Sequence, residues 1–315
     1  MRRILWTATA VGVALALGAC GGGRDAQVHP SGTGPFGDGT GAEPLPGPST
    51  TSTTPPPAPM SPAVPVSVHI VEAGGLRIEV ESGLPTEDAY HLAVVEGVRA
   101  ALDAFDLPAP FRVVVTPDVD HLVARWLDAT DNDRPQAEEV MSMSGAVSMP
   151  GWLFVNPSRM PDDPAFYFRT VIHEVHHIHQ YALATPPGGH PQDGLDRMRP
   201  PNWLIEGSAQ YVSAQIADRH RAGVAAAYER AMDAALVPFD GDLSRYELEG
   251  MWEDDHAYDA SAAAVRHLVG LAGVEAVTTD YWADRARGGD WRATFERVFG
   301  IGVDAFYDEV RGIDL

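Results

Sequence analysis

The stretch His173-Glu174-Val175-His176-His177 is the part of this 315-residue chain that decides its fold. It lies inside residues 164–183, where apolar spacing after a capped start predicts a helix. On that helix His173 and His177 share one face, displaced about 6 Å along the axis, so both imidazoles can reach a single tetrahedral metal ion. Glu174 can stand beside such an ion without binding it. The stretch therefore predicts a metal centre on a helix.

A second stretch, Trp203-Leu204-Ile205-Glu206-Gly207-Ser208-Ala209, lies on the next predicted helix, 202–218. The two stretches together resemble the gluzincins, a group of zinc-dependent peptidases, and among them the peptidase MA-like family. The resemblance implies a zincin-like fold with Zn²⁺ held by His173, His177 and Glu206. It also implies hydrolysis of peptide bonds in a polypeptide substrate.

The resemblance assigns catalytic roles to two further residues. Glu174 would take a proton from water and return it to the leaving amine. Tyr258, at the start of a predicted helix over 258–272, would stabilise the developing oxyanion with its hydroxyl. Packing explains a tyrosine at a helix start equally well, because the ring is readily half-buried. Gly207 is expected to let the two motif helices approach closely.

Three features depart from related classes of zinc peptidase. Gln180 and Leu183 stand where metzincins carry Gly and His, so that class is excluded. A G-x-M-E-N segment is missing before the helix, which argues against a standard aminopeptidase. Gln210 stands where thermolysin-like enzymes carry Asp, so a carboxylate partner for His173 or His177 is left unassigned.

Three other histidines have less specific interpretations. His176 and His179 project from other sides of the predicted zinc helix, so surface or supporting positions are expected rather than ligation. His190 lies in a Pro- and Gly-rich loop over 185–201, above the expected cleft. It could aid catalysis or simply be exposed.

The pattern before the motif helix predicts strands and two helices. Apolar residues alternate on both sides of Gly74-Gly75, which indicates a β-hairpin. Thr86 is expected to cap the first helix, and Thr116-Pro117 to open the second. Buried strands are predicted over 111–115 and 152–155, the latter at the edge of the cleft, where it could pair with an extended substrate.

After Asp163, which can cap a helix that starts at Pro164, the pattern is helical almost to the end. Helices are predicted over 164–183, 202–218, 222–235, 258–272, 275–286, 290–299 and 303–311. Strands first and helices afterwards predict an α+β fold, in which a small mixed N-terminal sheet is followed by a mostly helical half.

Three regions are predicted, a leader over 1–20, a linker over 21–64 and the folded domain over 65–315. The leader has a basic start and a short apolar run. It ends in Leu17-Gly18-Ala19-Cys20, which resembles a bacterial lipobox and implies a lipidated Cys20. An ordinary signal peptide with an incidental cysteine is the alternative. The linker is rich in Gly, Pro, Ser and Thr and lacks the apolar residues for a core.

The formal net charge is −22, and all 22 basic residues are Arg. Such an acidic chain argues against nucleic acid and anionic lipid as partners, because phosphates repel it. The expectation is thus a monomeric zinc peptidase, tethered to the cell membrane through lipid on Cys20 and facing the extracytoplasmic side. The alternative is a non-catalytic zinc-binding or structural envelope lipoprotein whose cleft binds a partner.

Overall fold

The computed structural model of the chain describes residues 66–130, 132–236, 242–248, 251 and 256–312. The predicted leader, its Cys20 and the linker over 21–64 lie outside these described residues. Within them the α+β prediction is confirmed: a five-stranded mixed sheet is accompanied by eleven α-helices, and most residues are helical.

The sheet begins with the predicted hairpin. Its strands are β1 (Ser67–Ala73), β2 (Leu76–Ser82), β3 (Arg112–Val115), β4 (Ala146–Met149) and β5 (Trp152–Val155). Gly74 and Gly75 make the turn with φ of 57° and 76°, a region that glycine enters without steric cost. The spatial order is β1-β2-β3-β5-β4; the pairs β2–β3 and β3–β5 are parallel, and the two outer pairs are antiparallel.

The prediction that Trp152–Val155 could pair with an extended substrate is wrong. This strand, β5, is paired on both sides, by β3 and by β4. The edge next to the motif helix is β4, which was not predicted from the sequence because Ala-Val-Ser-Met lacks the aromatic and β-branched enrichment that marks a short buried strand. Any extended chain that adds to this side of the sheet must therefore pair with β4.

The α-helices follow the predicted order, with two additions. They are α1 (Ala89–Ala104), α2 (Val119–Ala129), α3 (Arg134–Met143), α4 (Pro164–Ala184), α5 (Pro191–Met198), α6 (Asn202–His220), α7 (Val224–Leu236), α8 (Ala257–Ala272), α9 (Tyr281–Arg285), α10 (Trp291–Phe299) and α11 (Val303–Gly312). A π-helical segment, Ala276–Asp280, runs directly into α9. The helices α3 and α5 were not predicted.

Two helix starts differ from prediction. Asp88, not Thr86, caps α1 by accepting a hydrogen bond from the Tyr90 amide at 2.8 Å. Asp118 caps α2, and the Thr116 hydroxyl instead accepts from the Asp118 amide at 3.1 Å. In both cases a nearby carboxylate replaces the hydroxyl, since both groups are good N-caps. The start of α4 is as predicted, with Asp163 accepting from the Ala165 amide at 2.8 Å.

The helices α4 and α6 each contribute to two buried cores. One core fills the space between the sheet, α1 and α4 and reaches Val212 and Ile216 of α6. The other joins α6 to α8–α11 and centres on Trp203, whose indole N–H donates to the Tyr307 hydroxyl at 2.9 Å. Packing on both sides holds α4 and α6 in a fixed relation, which any site between them requires.

Among the described residues no single helix has the length and apolarity to span a membrane. The pair Ala257–Ala272 and Ala276–Arg285 passes a length and composition test together, but it is bent by 115°.

Candidate metal centre

His173 and His177 lie in the most deeply buried part of α4, with 2% and 1% of their surface exposed. Their rings meet edge to face with centroids 4.7 Å apart, and the two Nε2 atoms are 3.0 Å apart. Successive turns of the helix place them so, as the spacing of four predicts. The two imidazoles therefore point at one common position.

Glu206 reaches that position from α6. Its Oε2 atom lies 3.4 Å from the Nε2 of His173 and 3.4 Å from the Nε2 of His177. These distances are too long for charged hydrogen bonds, which measure about 2.7–2.9 Å. Two ligands at about 2.0–2.1 Å from a tetrahedral metal are about 3.3–3.4 Å apart, which is close to the spacing found here.

The burial of Glu206 supports the same interpretation. Its Oε2 is shielded from solvent and has no hydrogen-bond partner among the described residues. A buried carboxylate oxygen without a partner is costly, and a cation removes that cost. The group His173, His177 and Glu206 could thus hold a metal ion, and its side chains fit one.

The charges of the three groups are strongly coupled. Burial lowers the pKa of His173 to about 4. Burial also lowers the pKa of His177, but Glu206 and Glu174 outweigh it and raise that pKa to about 9. Burial alone would raise the pKa of Glu206. The two histidines have the opposite and larger effect, so that this pKa lies well below its usual range. Two imidazoles this close are not both positively charged, and a metal ion would displace the Nε2 proton of the one that is.

Glu174 stands beside the three ligand candidates, fully buried, on α4. Its Oε2 accepts a hydrogen bond from the Ser148 hydroxyl at 2.7 Å. Its Oε1 is buried without a partner among the described residues. Burial raises the pKa of Glu174 to about 7, although His177 and Ser148 act to lower it. One oxygen is thus fixed and the other is left for a further group. Ser148, on the unpredicted strand β4, was missed from the sequence.

Tyr258 and Tyr181 both lie near the two carboxylates. Tyr258 is in the first turn of α8, and burial raises its pKa well above the usual value, with Glu206 and Glu174 adding to the effect. The Tyr181 hydroxyl, on α4, donates to the Ser148 carbonyl at 3.3 Å, and burial raises its pKa as well. The structure therefore brings the predicted Tyr258 to the site and adds Tyr181 as a residue that fixes β4.

The close approach at Gly207 involves a different helix from the one expected. A Cβ atom at Gly207 would lie 2.4 Å from the Ser261 carbonyl oxygen, on α8 rather than on α4. The reason is that Glu206 faces α4, so that its neighbour along α6 turns to another side of the helix. Gly207 therefore sets the spacing between α6 and the helix that carries Tyr258.

The three histidines with less specific interpretations take two kinds of position: two are buried and one is exposed. His176 and His179 are buried, 0% and 5% exposed, so a surface position is wrong for both. They pack against Phe105, the residue directly after α1, with ring centroids 5.1 Å away in each case. His190 is exposed and caps α5 by accepting from the Gln192 amide at 3.2 Å.

Over the described residues, one group of His, Cys, Asp or Glu side chains is close enough to share a metal ion, and it is the group on α4 and α6. Comparisons with protein-family models, with curated proteins and with solved structures give no match to this chain.

Proposed function

We propose that this chain is a zinc-dependent hydrolase of peptide bonds, built as a gluzincin with a zincin-like fold. The observation that carries the proposal is the buried Oε2 of Glu206, which is equidistant from two histidine Nε2 atoms and has a second carboxylate, Glu174, beside it. Two imidazoles and one carboxylate are a donor set that catalytic zinc sites use, with the fourth position left open.

When bound by His173, His177 and Glu206, zinc would supply Lewis acidity toward a carbonyl oxygen and lower the pKa of water at the open position. Glu174 would hold the proton that leaves the attacking water. Its Oε1 is the oxygen available for this, because Ser148 occupies Oε2. The same carboxyl would then return the proton to the departing amine.

Tyr258 and strand β4 would act on the substrate. The Tyr258 hydroxyl, kept in its protonated form by burial, would donate to the oxygen on which negative charge develops. Strand β4 is the sheet edge beside α4, and an extended polypeptide could add to it through main-chain hydrogen bonds. Such an arrangement favours unstructured polypeptide over folded protein as the substrate.

The cellular setting belongs to the same proposal. A lipid on Cys20 and the linker over 21–64 would hold the enzyme, as a monomer, at the extracytoplasmic side of the cell membrane. Labelling with a fatty-acid probe tests the tether: label that depends on Cys20 supports it, and label that survives Cys20→Ala contradicts it.

The enzymatic proposal is tested by metal content and polypeptide cleavage in the same preparations. Wild type should carry one zinc per chain and Glu206→Ala should lose it. Glu174→Gln has the same shape, so it should keep the zinc and lose cleavage activity by about 10²–10⁴-fold. Full activity in Glu174→Gln would contradict the mechanism. Zinc without cleavage would favour the non-catalytic lipoprotein, and absence of zinc in wild type would favour the purely structural one.

A further inference from the structure

Gln180 connects the ligand His177 to the helix that carries Glu206. It lies on α4, one turn after His177, and is fully buried. Its Oε1 is 2.7 Å from the Nδ1 of His177. Its Nε2 donates to the Ser208 hydroxyl at 2.8 Å and to the Ile205 carbonyl at 3.3 Å, both on α6. A single amide thus contacts one ligand candidate, His177, and two residues that lie on either side of another, Ile205 before Glu206 and Ser208 after it.

These contacts fix which atom of Gln180 faces the histidine. The Ile205 carbonyl can only accept, so the NH₂ end of the amide must point to α6. The Ser208 hydroxyl donates to that same carbonyl at 3.0 Å, which leaves its oxygen to accept from Gln180. The carbonyl oxygen of Gln180 is therefore turned to His177 and can only accept there.

The tautomer of neutral His177 follows from that orientation. An accepting oxygen at Nδ1 keeps a proton on Nδ1, so the neutral ring carries its lone pair on Nε2. Nε2 is the atom that points at Glu206 and His173. Gln180 thus selects the form of His177 that a metal ion needs, and it does so with a neutral amide where many metal sites use a carboxylate.

The other ligand histidine and the other buried glutamine near the site lack such a contact. The Nδ1 of His173 has no hydrogen-bond partner among the described residues. Gln210, at the position where thermolysin-like enzymes carry a carboxylate, accepts from Arg169 at 3.3 Å instead. Gln210 is nevertheless buried, 2% exposed, and lies on α6. It therefore offers a matched control for Gln180.

We propose that Gln180 is a positioning residue of the metal centre, which holds His177 ready for ligation by accepting the proton on Nδ1. The inference rests on the proposed metal centre but not on peptide hydrolysis. A carboxylate at position 180 could accept the same proton, whereas alanine could not.

The test measures metal affinity, by competition of Zn²⁺ with a chromophoric chelator and by the visible spectrum of the Co²⁺-loaded protein. Gln180→Ala should bind zinc about 10–100-fold more weakly than wild type and show an altered Co²⁺ spectrum. Gln180→Glu should bind at least as tightly as wild type, even if its loss of donation to α6 lowers the Tm. Gln210→Ala should lose a comparable amount of stability and keep wild-type affinity.

Three results would overturn the proposal. One is wild-type affinity in Gln180→Ala, which would make the contact incidental. Another is an equal loss in Gln180→Glu, which would mean that Gln180 matters only through its link to α6. The third is a wild-type chain that binds neither metal. If affinity depends on Gln180 but no polypeptide is cleaved, the hydrolase proposal fails while this one stands.

Discussion

The two buried faces of α4 carry the same residue type and have different surroundings. On one face, His173 and His177 meet a carboxylate of α6, and Gln180 binds the second of them. On the other face, His176 and His179 pack on Phe105. All four imidazoles are nearly inaccessible to solvent.

The difference teaches that burial alone does not make a histidine a ligand. What separates the faces is the polar group that the neighbouring helix presents. α6 presents the Glu206 carboxylate, whereas the end of α1 is followed by the aromatic ring of Phe105. Burial lowers the pKa of both His176 and His179; Asp106 opposes this at His179 but does not outweigh it, as Glu206 does at His177. We call the side of α4 with His173 and His177 the metal face, and the side with His176 and His179 the packing face. Substitutions on the metal face should therefore change metal affinity, and substitutions on the packing face should change the free energy of unfolding.

The strongest way to break this comparison is to truncate one histidine on each face. His173→Ala should reduce zinc affinity by more than about 100-fold, which is beyond the usual effect of losing an outer partner. His179→Ala should leave zinc affinity unchanged and lower the free energy of unfolding by about 1–3 kcal/mol. Chelator competition and urea denaturation measure the two effects. Comparable zinc loss in both variants would contradict the distinction.

A substitution at Ser148 separates catalysis from metal binding on the metal face. Ser148→Ala removes a hydrogen bond to a carboxylate, worth about 1.5–3 kcal/mol, so kcat should fall roughly 10–100-fold. Zinc content should not change, because Ser148 does not touch a ligand candidate. Ser148→Thr keeps the hydroxyl and should restore much of the rate. An unchanged kcat in Ser148→Ala would show that Glu174 needs no such support.

The features that depend on neighbouring residues along the chain could be predicted from the sequence. The spacing of His173 and His177, and the start of α4 at Pro164, follow from short-range rules, and the structure brings both histidines together with the predicted Glu206. The helix α5 was missed because the Pro and Gly content of 185–201 indicated a loop. Its Gly194 is required by packing, since a Cβ there would lie 2.3 Å from the Tyr181 carbonyl.

The rest depends on contacts between distant segments. Which helix faces Gly207, which strand forms the sheet edge and which hydroxyl reaches Glu174 are set by tertiary packing, and no local pattern encodes them. Gln180 could have been found, because the residue three positions after His177 lies on a neighbouring part of the helix surface.

A glycine substitution tests how closely α6 and α8 must pack beside the metal face. Gly207→Ala would place a methyl group against the Ser261 carbonyl and should lower the free energy of unfolding by about 1–3 kcal/mol. Gly270→Ala, on exposed α8 surface with open space around it, should instead raise it by up to about 1 kcal/mol. Chemical denaturation of both variants measures this. An equal rise in both variants would mean that α6 and α8 can separate without cost.

The smallest expected effect lies on the packing face. Both ring nitrogens of His176 are buried without partners among the described residues. An apolar side chain of similar volume removes that unsatisfied polarity, so His176→Leu should leave the free energy of unfolding unchanged or raise it by about 1 kcal/mol. Urea denaturation measures the change. A loss of several kcal/mol would show that the imidazole is satisfied by bound water.

The buried amide of Gln180 has a consequence for spectroscopy. Its two N–H groups are engaged by Ile205 and Ser208 and sheltered from solvent, so their protons should exchange slowly. In ¹⁵N-labelled protein, that side chain would give a pair of signals apart from those of exposed glutamines. Because the same amide holds His177, these signals would shift as the centre fills, and a single side chain would report metal loading in solution without any substrate.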